Sequence, residues 1–317
     1  MCAVFGFLDY KGMVKSKQKK AMIRELSIAA EERGTDATGI AYIKNGDVVT
    51  FKKAFPAHKL KLYFPTDTKA VIGHTRMTTQ GSEKRNYNNH PFKGKTKEHA
   101  FALAHNGVLW NDRQLRYLEN LPQTKIETDS YIAVQLLEQG NQLDAENIKR
   151  MAELVEGSFV FTILRDDDTL LLVKGNNPLT LYHFPKLGFY VYASTKSILN
   201  KALKKSDFAC DFQEIDTSEG DILAIMPDGE IKKASFEMKV DSRYLYDDFD
   251  DWEDLDDAYE EMLMEYCGLF GVEESDVRFL LDIGYQADEI EEMFMNTKLL
   301  EEALNEAEMR SGVQPKF

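Results

Sequence analysis

The sequence predicts an α+β layered domain of about 240 residues, followed by a short acidic extension with helical character. Three observations carry that reading. Many short β-rich runs bounded by turn residues are interspersed with only a few amphipathic helical stretches, as in antiparallel sheets with segregated helices. The chain has 317 residues, 43% hydrophobic and 29% charged, which is enough for a substantial core and a smaller second unit. Its net charge of −15 is uneven: residues 241–317 hold 24 Asp and Glu against 5 Lys and Arg, leaving 30 against 34 in residues 1–240. The acidity therefore belongs to the tail.

The elements follow in order. Residues 2–8 of "MCAVFGFLDY" form an apolar strand, and "MIRELSIAAEER" places Met22, Ile23, Leu26, Ala29 and Ala30 on one helical face. The preceding "KSKQKK" reads as a solvated helix start. "GIAYIKNGDVVTFKKA" is a hairpin, because Asn-Gly between two β-rich runs is a strong two-residue turn signal. Further strands are expected at "AVIGHTRM", "AFALAHNGVLW", "SFVFTILRD", "TLLLVKG", "LTLYHFP", "GFYVYAST" and "GDILAIMPDGEI". Helices are expected at "ETDSYIAVQLLEQ", "NIKRMAELVE" and "TKSILNKALKK". Residues 241–262 read as an acidic linker with interleaved aromatics, too charged to form a core alone. Beyond it, Ser275, Ala287 with Asp288, and Thr297 open three short helical segments of a small extension over 263–317. The "LLDIGY" turn gives that extension a faint similarity to the three-helix ubiquitin-associated type of module, beside the plainer reading of a docking element.

Composition also excludes functions. A near-neutral body with one scattered basic cluster argues against a nucleic-acid surface, which needs clustered positive charge. Neither a basic leader with an apolar core nor a run of about 18 apolar residues is visible, so the reading expects no export, no membrane insertion and a cytoplasmic protein. The cysteines Cys2, Cys210 and Cys267 are few, odd in number and far apart, which fits a reducing compartment and gives no metal-ligand spacing. No metal or cofactor is expected.

Cys2 stands directly behind Met1. If an aminopeptidase removes Met1, Cys2 carries a thiol and a free α-amine on one residue, a nucleophile with its own base, whose pKa is near about 7.7–8.0. Taken alone, Cys2 reads first as a small residue opening a buried strand. Four stretches join it: "RGTDATGIAY", "GHTRMTTQGS", "AHNGVLWND" and "ETDSYIAVQLL". Together they offer a planar cationic fork at Arg76, an acid at Asp129 and an Asn-Gly pair at Asn106 and Gly107. Each has a plainer reading, since Asp129 suits a helix N-cap and Asn-Gly a hairpin turn.

In order, spacing and content these motifs resemble the class II glutamine amidotransferase domain, of the N-terminal-nucleophile type, over residues 2–240. The resemblance implies an αββα sandwich of two antiparallel sheets between helix layers. It also implies hydrolysis of the glutamine side-chain amide to glutamate and ammonia through a Cys2 thioester. It assigns Arg76 to the substrate's carboxylate, Thr79 to holding the substrate backbone, Asp129 to its α-ammonium, and Asn106 with Gly107 to the oxyanion. Arg33 and Asp36 match a segment that braces the nucleophile. The Asn89 to Pro91 element is kept, whereas Met77 and Gln80 replace the Trp and His of many sugar-amidating members, so the loop over bound glutamine is expected to close differently.

Only 77 residues follow residue 240, and no "GxxxxGK" phosphate loop is present. The favoured reading is therefore a glutaminase that passes ammonia to a separate synthase subunit. Two alternatives stand beside it: an amidohydrolase for another amide, or a non-catalytic scaffold with an acidic partner-binding tail. The oligomeric state is left open, a homo-oligomer included.

Overall fold

The computed structural model describes residues 2–206, 208, 210–239, 264, 267–285, 290, 293, 294 and 297–311. The chain divides into two compact units, Met1–Lys239 and Val240–Phe317.

In the first unit, seven strands form one sheet in the order β11 (Gln213–Ile215), β9 (Thr180–Phe184), β10 (Phe189–Ala193), β1 (Ala3–Asp9), β4 (Ala70–Arg76), β2 (Ala37–Lys44) and β3 (Asp47–Lys53). Six more form a second sheet in the order β13 (Ile231–Ser235), β12 (Asp221–Ile225), β8 (Leu170–Lys174), β7 (Gly157–Arg165), β6 (Ala100–Leu109) and β5 (Phe92–Lys95). All neighbouring pairs are antiparallel.

Strand alternation sorts the core into three layers. Ala3, Phe5 and Phe7 of β1 pack with helices α1 (Ser16–Ala29) and α5 (Lys196–Lys205) through Met22, Leu26, Ile198 and Ala202. Val4 and Leu8 of the same strand pack instead against Ala102, Ala104, Val160 and Leu172 of the second sheet. The far face of that sheet, with Phe101, Leu103, Phe159 and Phe161, is covered by α3 (Tyr131–Gly140) and α4 (Ala145–Leu154) through Ile132, Leu136, Ile148 and Met151. The result is an αββα sandwich in which central strands are buried on both faces and so read as continuous apolar runs.

Most elements stand where the sequence places them. The β2–β3 hairpin turns at Asn45 and Gly46, both with positive φ (54° and 82°), as a type I′ turn requires. Four pieces carried too little pattern to be seen: β5, β11, β13 and the short helix α2 (Asp112–Leu118). The "HNG" element is not a turn. Asn106 and Gly107 lie inside the ten-residue β6, paired with Val160 and Phe159 of β7. Nor is Asp129 the cap of α3, whose N-cap position is Ser130, without a side-chain cap bond.

The basic start of α1 is only partly solvated. Lys19 is buried, with its Nζ 2.7 Å from the Thr68 carbonyl and 3.2 Å from Oδ2 of the fully buried Asp9. Asp9→Ala leaves that ammonium buried without its counter-charge and is expected to cost about 3–5 kcal/mol. The double change Asp9→Leu with Lys19→Met removes both charges and is expected to recover most of the loss in denaturant midpoint.

The second unit has its own core, with Cys267, Val277, Leu280, Phe294, Leu300 and Ala307 buried together. Its helices include Glu274–Asp282 and Thr297–Ser311. Ser275 lies inside the first of these rather than at its cap, which is Glu273. The linker over 241–262 and the segment at Ala287 and Asp288 lie outside the described residues. Among the described residues, no helix is long and apolar enough to cross a membrane.

Candidate active site

The sandwich itself gathers the candidate residues. On β4, His74 and Arg76 continue the inter-sheet face of Ala70 and Ile72, and on β6 Asn106 continues that of Ala102 and Ala104. Cys2, just ahead of β1, continues the face of Val4 and Leu8. The register sets Ala3 opposite Thr75 and Ala37 opposite Arg76, so β1 and β2 begin where β4 ends. One end of the layer between the sheets thus holds thiol, guanidinium and carboxamide.

Cys2 is buried, with 9% of its surface exposed. Its Sγ accepts from the Met77 N–H and faces the Met77 carbonyl, each at 3.4 Å. Burial pushes the thiol above its ordinary value, opposed by the Met77 N–H and the charge of Arg76. Such a thiol is mostly protonated at neutral pH and needs a base to act.

The surrounding loops are tied to one another through the backbone. Arg33 Nε donates to the Cys2 carbonyl at 2.8 Å. Asp36 accepts from the Thr78 N–H at 2.8 Å, and its own N–H donates to the Arg76 carbonyl at 2.9 Å. Gly34 permits this approach, because a Cβ there would sit 2.4 Å from the Arg76 carbonyl carbon and 2.6 Å from the Met77 nitrogen.

Arg76 is buried and already engaged. Nη1 donates to Asn89 Oδ1 at 2.7 Å, and Nη2 to the carbonyls of Gln80 at 2.5 Å and Gly81 at 2.9 Å. Asn89 is held in turn by Lys52, which donates to its carbonyl and to that of Pro91. The "NNHP" segment thus shapes the guanidinium. Thr79 stands exposed on the same loop.

Asp129 is buried at the end of the loop before α3. Oδ2 accepts from the Leu109 N–H at 2.7 Å, and Oδ1 lies 3.2 Å from the Ser130 hydroxyl. Asp112, which the sequence reading missed, is also buried with Oδ1 unpartnered, and its pKa is raised by burial and by the charge of Asp129. The "WND" start of a short helix directly after "HNG" was the available signal.

Asn106 is fully buried, and both atoms of its carboxamide lack a partner among the described residues. Gly107 has φ +148°, and a Cβ there would lie 1.7 Å from the Ser158 carbonyl oxygen. Only glycine fits that position.

Beside these groups lies a cluster of buried histidines. His74 and His90 rings are 4.2 Å apart, and His105 bonds Ser130 Oγ through Nδ1 at 2.7 Å. Burial lowers all three pKa values, that of His74 to about 3. These rings stay neutral in the folded chain and take up protons near about pH 6.5 only when it unfolds. Stability is therefore full above that value and falls as pH drops toward 3, with His74 alone contributing about 1.4 kcal/mol per pH unit across the window. Urea midpoints should fall steeply below about pH 6, and His90→Phe, which replaces a ring with both nitrogens unpartnered, should flatten the fall.

With this geometry in view, comparison with known proteins is informative. The family model for class-II glutamine amidotransferases matches residues 18–230. The glutamine–fructose-6-phosphate aminotransferase (isomerizing) of Staphylococcus aureus strain Mu50 is 30% identical over 192 residues, covering 57% of this chain and 30% of that protein. The enzyme of the same name from Bacillus subtilis strain 168 is 30% identical over 188 residues, covering 56% and 30%. Among solved structures, the glutamine phosphoribosylpyrophosphate amidotransferase from B. subtilis, complexed with ADP and GMP, superposes with a TM-score of 0.56. It is 20% identical, over 75% of this chain and 50% of that one, a likeness of fold. The matched span covers most of the unit that carries the two-sheet sandwich. The chain belongs to the class-II glutamine amidotransferases. It spans about a third of the length of the curated relatives it matches.

Proposed function

We propose that this chain hydrolyses the side-chain amide of glutamine to glutamate and ammonia, with Cys2 as nucleophile. The observation that carries the reading is the buried, unpartnered carboxamide of Asn106 at the same end of the inter-sheet layer as Cys2 and Arg76. A buried dipole without a partner costs stability, and a transient negative charge is the partner it fits.

The chemistry follows from the groups present. Glutamine's carboxylate takes the Nη2 hydrogens of Arg76 from the carbonyls of Gln80 and Gly81, and its ammonium meets Oδ1 of Asp129. Thr79 closes over the substrate backbone from the same loop. With Met1 removed, the Cys2 α-amine accepts the thiol proton and the thiolate attacks the amide carbon. The Asn106 side-chain N–H and the Gly107 backbone N–H hold the oxyanion. As the carbon–nitrogen bond breaks, the ammonium form of Cys2 returns its proton to the departing nitrogen, releasing ammonia and leaving a thioester. Water adds to the thioester with the amine as base, giving glutamate and the free thiol. Arg33 and Asp36 keep the Cys2 carbonyl and the Met77–Thr78 loop in place.

The ammonia goes to a separate synthase subunit, a reading supported by the matched family, whose relatives are named as aminotransferase and amidotransferase enzymes. A second reading, turnover of a different γ-glutamyl amide, is favoured by Met77 and Gln80. Release of ammonia and glutamate should be measured on glutamine and on a panel of such amides, with intact mass recording loss of Met1. Glutamine as the best substrate is expected. Glutamine as the poorest substrate moves the reading to the second, and a retained Met1 with no turnover on any amide removes both.

A further inference from the structure

We infer that Asn177 is a positioning residue for the oxyanion site, acting through the Asn106–Gly107 peptide group. This rests on the reading of Asn106 and Gly107 given above. No motif pointed to Asn177, which lies in the "GNNPL" turn after β8, far from the other stretches in sequence.

Its place in the structure is specific. Asn177 Nδ2 donates to the Asn106 carbonyl oxygen at 2.8 Å, and the same nitrogen lies 2.8 Å from where a Gly107 Cβ would be. The amide thus sits over the Gly107 Cα while holding the carbonyl beside it. That carbonyl and the Gly107 N–H belong to one peptide group. In a planar trans peptide the two point in opposite directions, so a donor that fixes the oxygen also fixes where the N–H is aimed. A hydrogen bond to the oxygen also polarises the group and strengthens its N–H as a donor.

The neighbouring residues lock the arrangement from the other side. Asn176 Oδ1 accepts from the Phe159 N–H at 3.1 Å, so the two asparagines of one turn hold β6 at the Asn106 carbonyl and β7 at Phe159, the residue paired with Gly107. Ser158 accepts from the Val108 N–H through Oγ at 3.3 Å and receives His105 Nε2 on its carbonyl at 3.3 Å. Gly107 itself, at φ +148°, has a backbone that no side chain of its own can restrain. Asn177 supplies that restraint from outside the strand.

The role concerns the transition state rather than substrate binding, and this separates it from a merely structural one. Asn177→Ala removes the donor, and Asn177→Asp places an acceptor against the carbonyl. Both are expected to lower kcat about tenfold to a hundredfold, below the roughly 10²–10³-fold that follows loss of an oxyanion donor itself, with KM nearly unchanged. The decisive measurement pairs two ligands of the full chain: the γ-aldehyde analogue of glutamine, whose adduct with Cys2 carries the tetrahedral oxygen, and glutamate, which does not. Both variants should weaken aldehyde binding by the factor lost in kcat and leave glutamate binding as it was. Equal weakening of the two ligands, weakening of glutamate alone, or no change in either overturns the inference. If Asn177→Asp does not fold, Asn177→Ala decides by the same comparison. A wild-type chain that binds neither ligand removes the glutaminase reading, and this inference with it, whereas wild-type binding with unaffected variants removes the inference alone.

Discussion

Cys2→Ala is expected to abolish glutamine turnover, a loss of about 10⁴-fold or more, while glutamate still binds and the thermal midpoint stays within a few degrees. The magnitude follows from removing the group that forms the covalent bond, since the remaining dipoles cannot replace a nucleophile. The unchanged stability follows from the site, where among the described residues the hydrogen bonds of Sγ are the long ones to the Met77 backbone. Ammonia release, with intact mass establishing that Met1 is absent from both proteins, is the measurement. Turnover persisting in the variant would place the chemistry elsewhere in the chain.

Asn106→Ala is the second large expected effect, and it separates activity from stability. Loss of one oxyanion donor should lower kcat about 10²–10³-fold with KM within a few-fold. A buried carboxamide that makes hydrogen bonds normally costs stability when removed. Here both atoms lack a partner, so truncation deletes a desolvated dipole along with some packing. The denaturant midpoint is expected to fall by no more than about 1 kcal/mol, in contrast to an ordinary buried asparagine. A large loss of stability together with a proportionate loss of activity would instead mark Asn106 as a structural residue.

The comparison between sequence and structure is clearest at these residues. Strong periodicity and turn chemistry located β1, α1, the β2–β3 hairpin and α3 to α5, because each is long or carries its own punctuation. The strands that escaped are short and polar, such as β5 with its "FKGK" and the three-residue β11, held by neighbours rather than by their own pattern. At the site, the motif residues are named by the resemblance, but their relations are not. Asn-Gly at 106–107 reads as a turn in isolation and as part of a strand within "AFALAHNGVLW", and the pairing of nine residues with β7 decides for the strand. Asp129 reads as a cap, yet its carboxylate is taken by the Leu109 N–H across the loop. Asn89 reaches Arg76 across 13 residues and Asn177 reaches Asn106 across 71, which no local pattern encodes.

The place of Cys2 at the head of a central strand has a consequence for synthesis. Beta strand β1 finds one neighbour in β4, at residues 70–76, but the other is β10, and Val4 exchanges hydrogen bonds with Ser194 across 190 residues. At about 5–20 residues per second, roughly 10 to 40 seconds pass between the emergence of Cys2 and that of its last partner strand. During that interval Cys2 waits without its second partner strand, and once the sheet closes it is buried. On the function proposed above, removal of Met1 and closure of the sheet therefore compete in time, and a chain that folds first keeps the Cys2 α-nitrogen in a peptide bond.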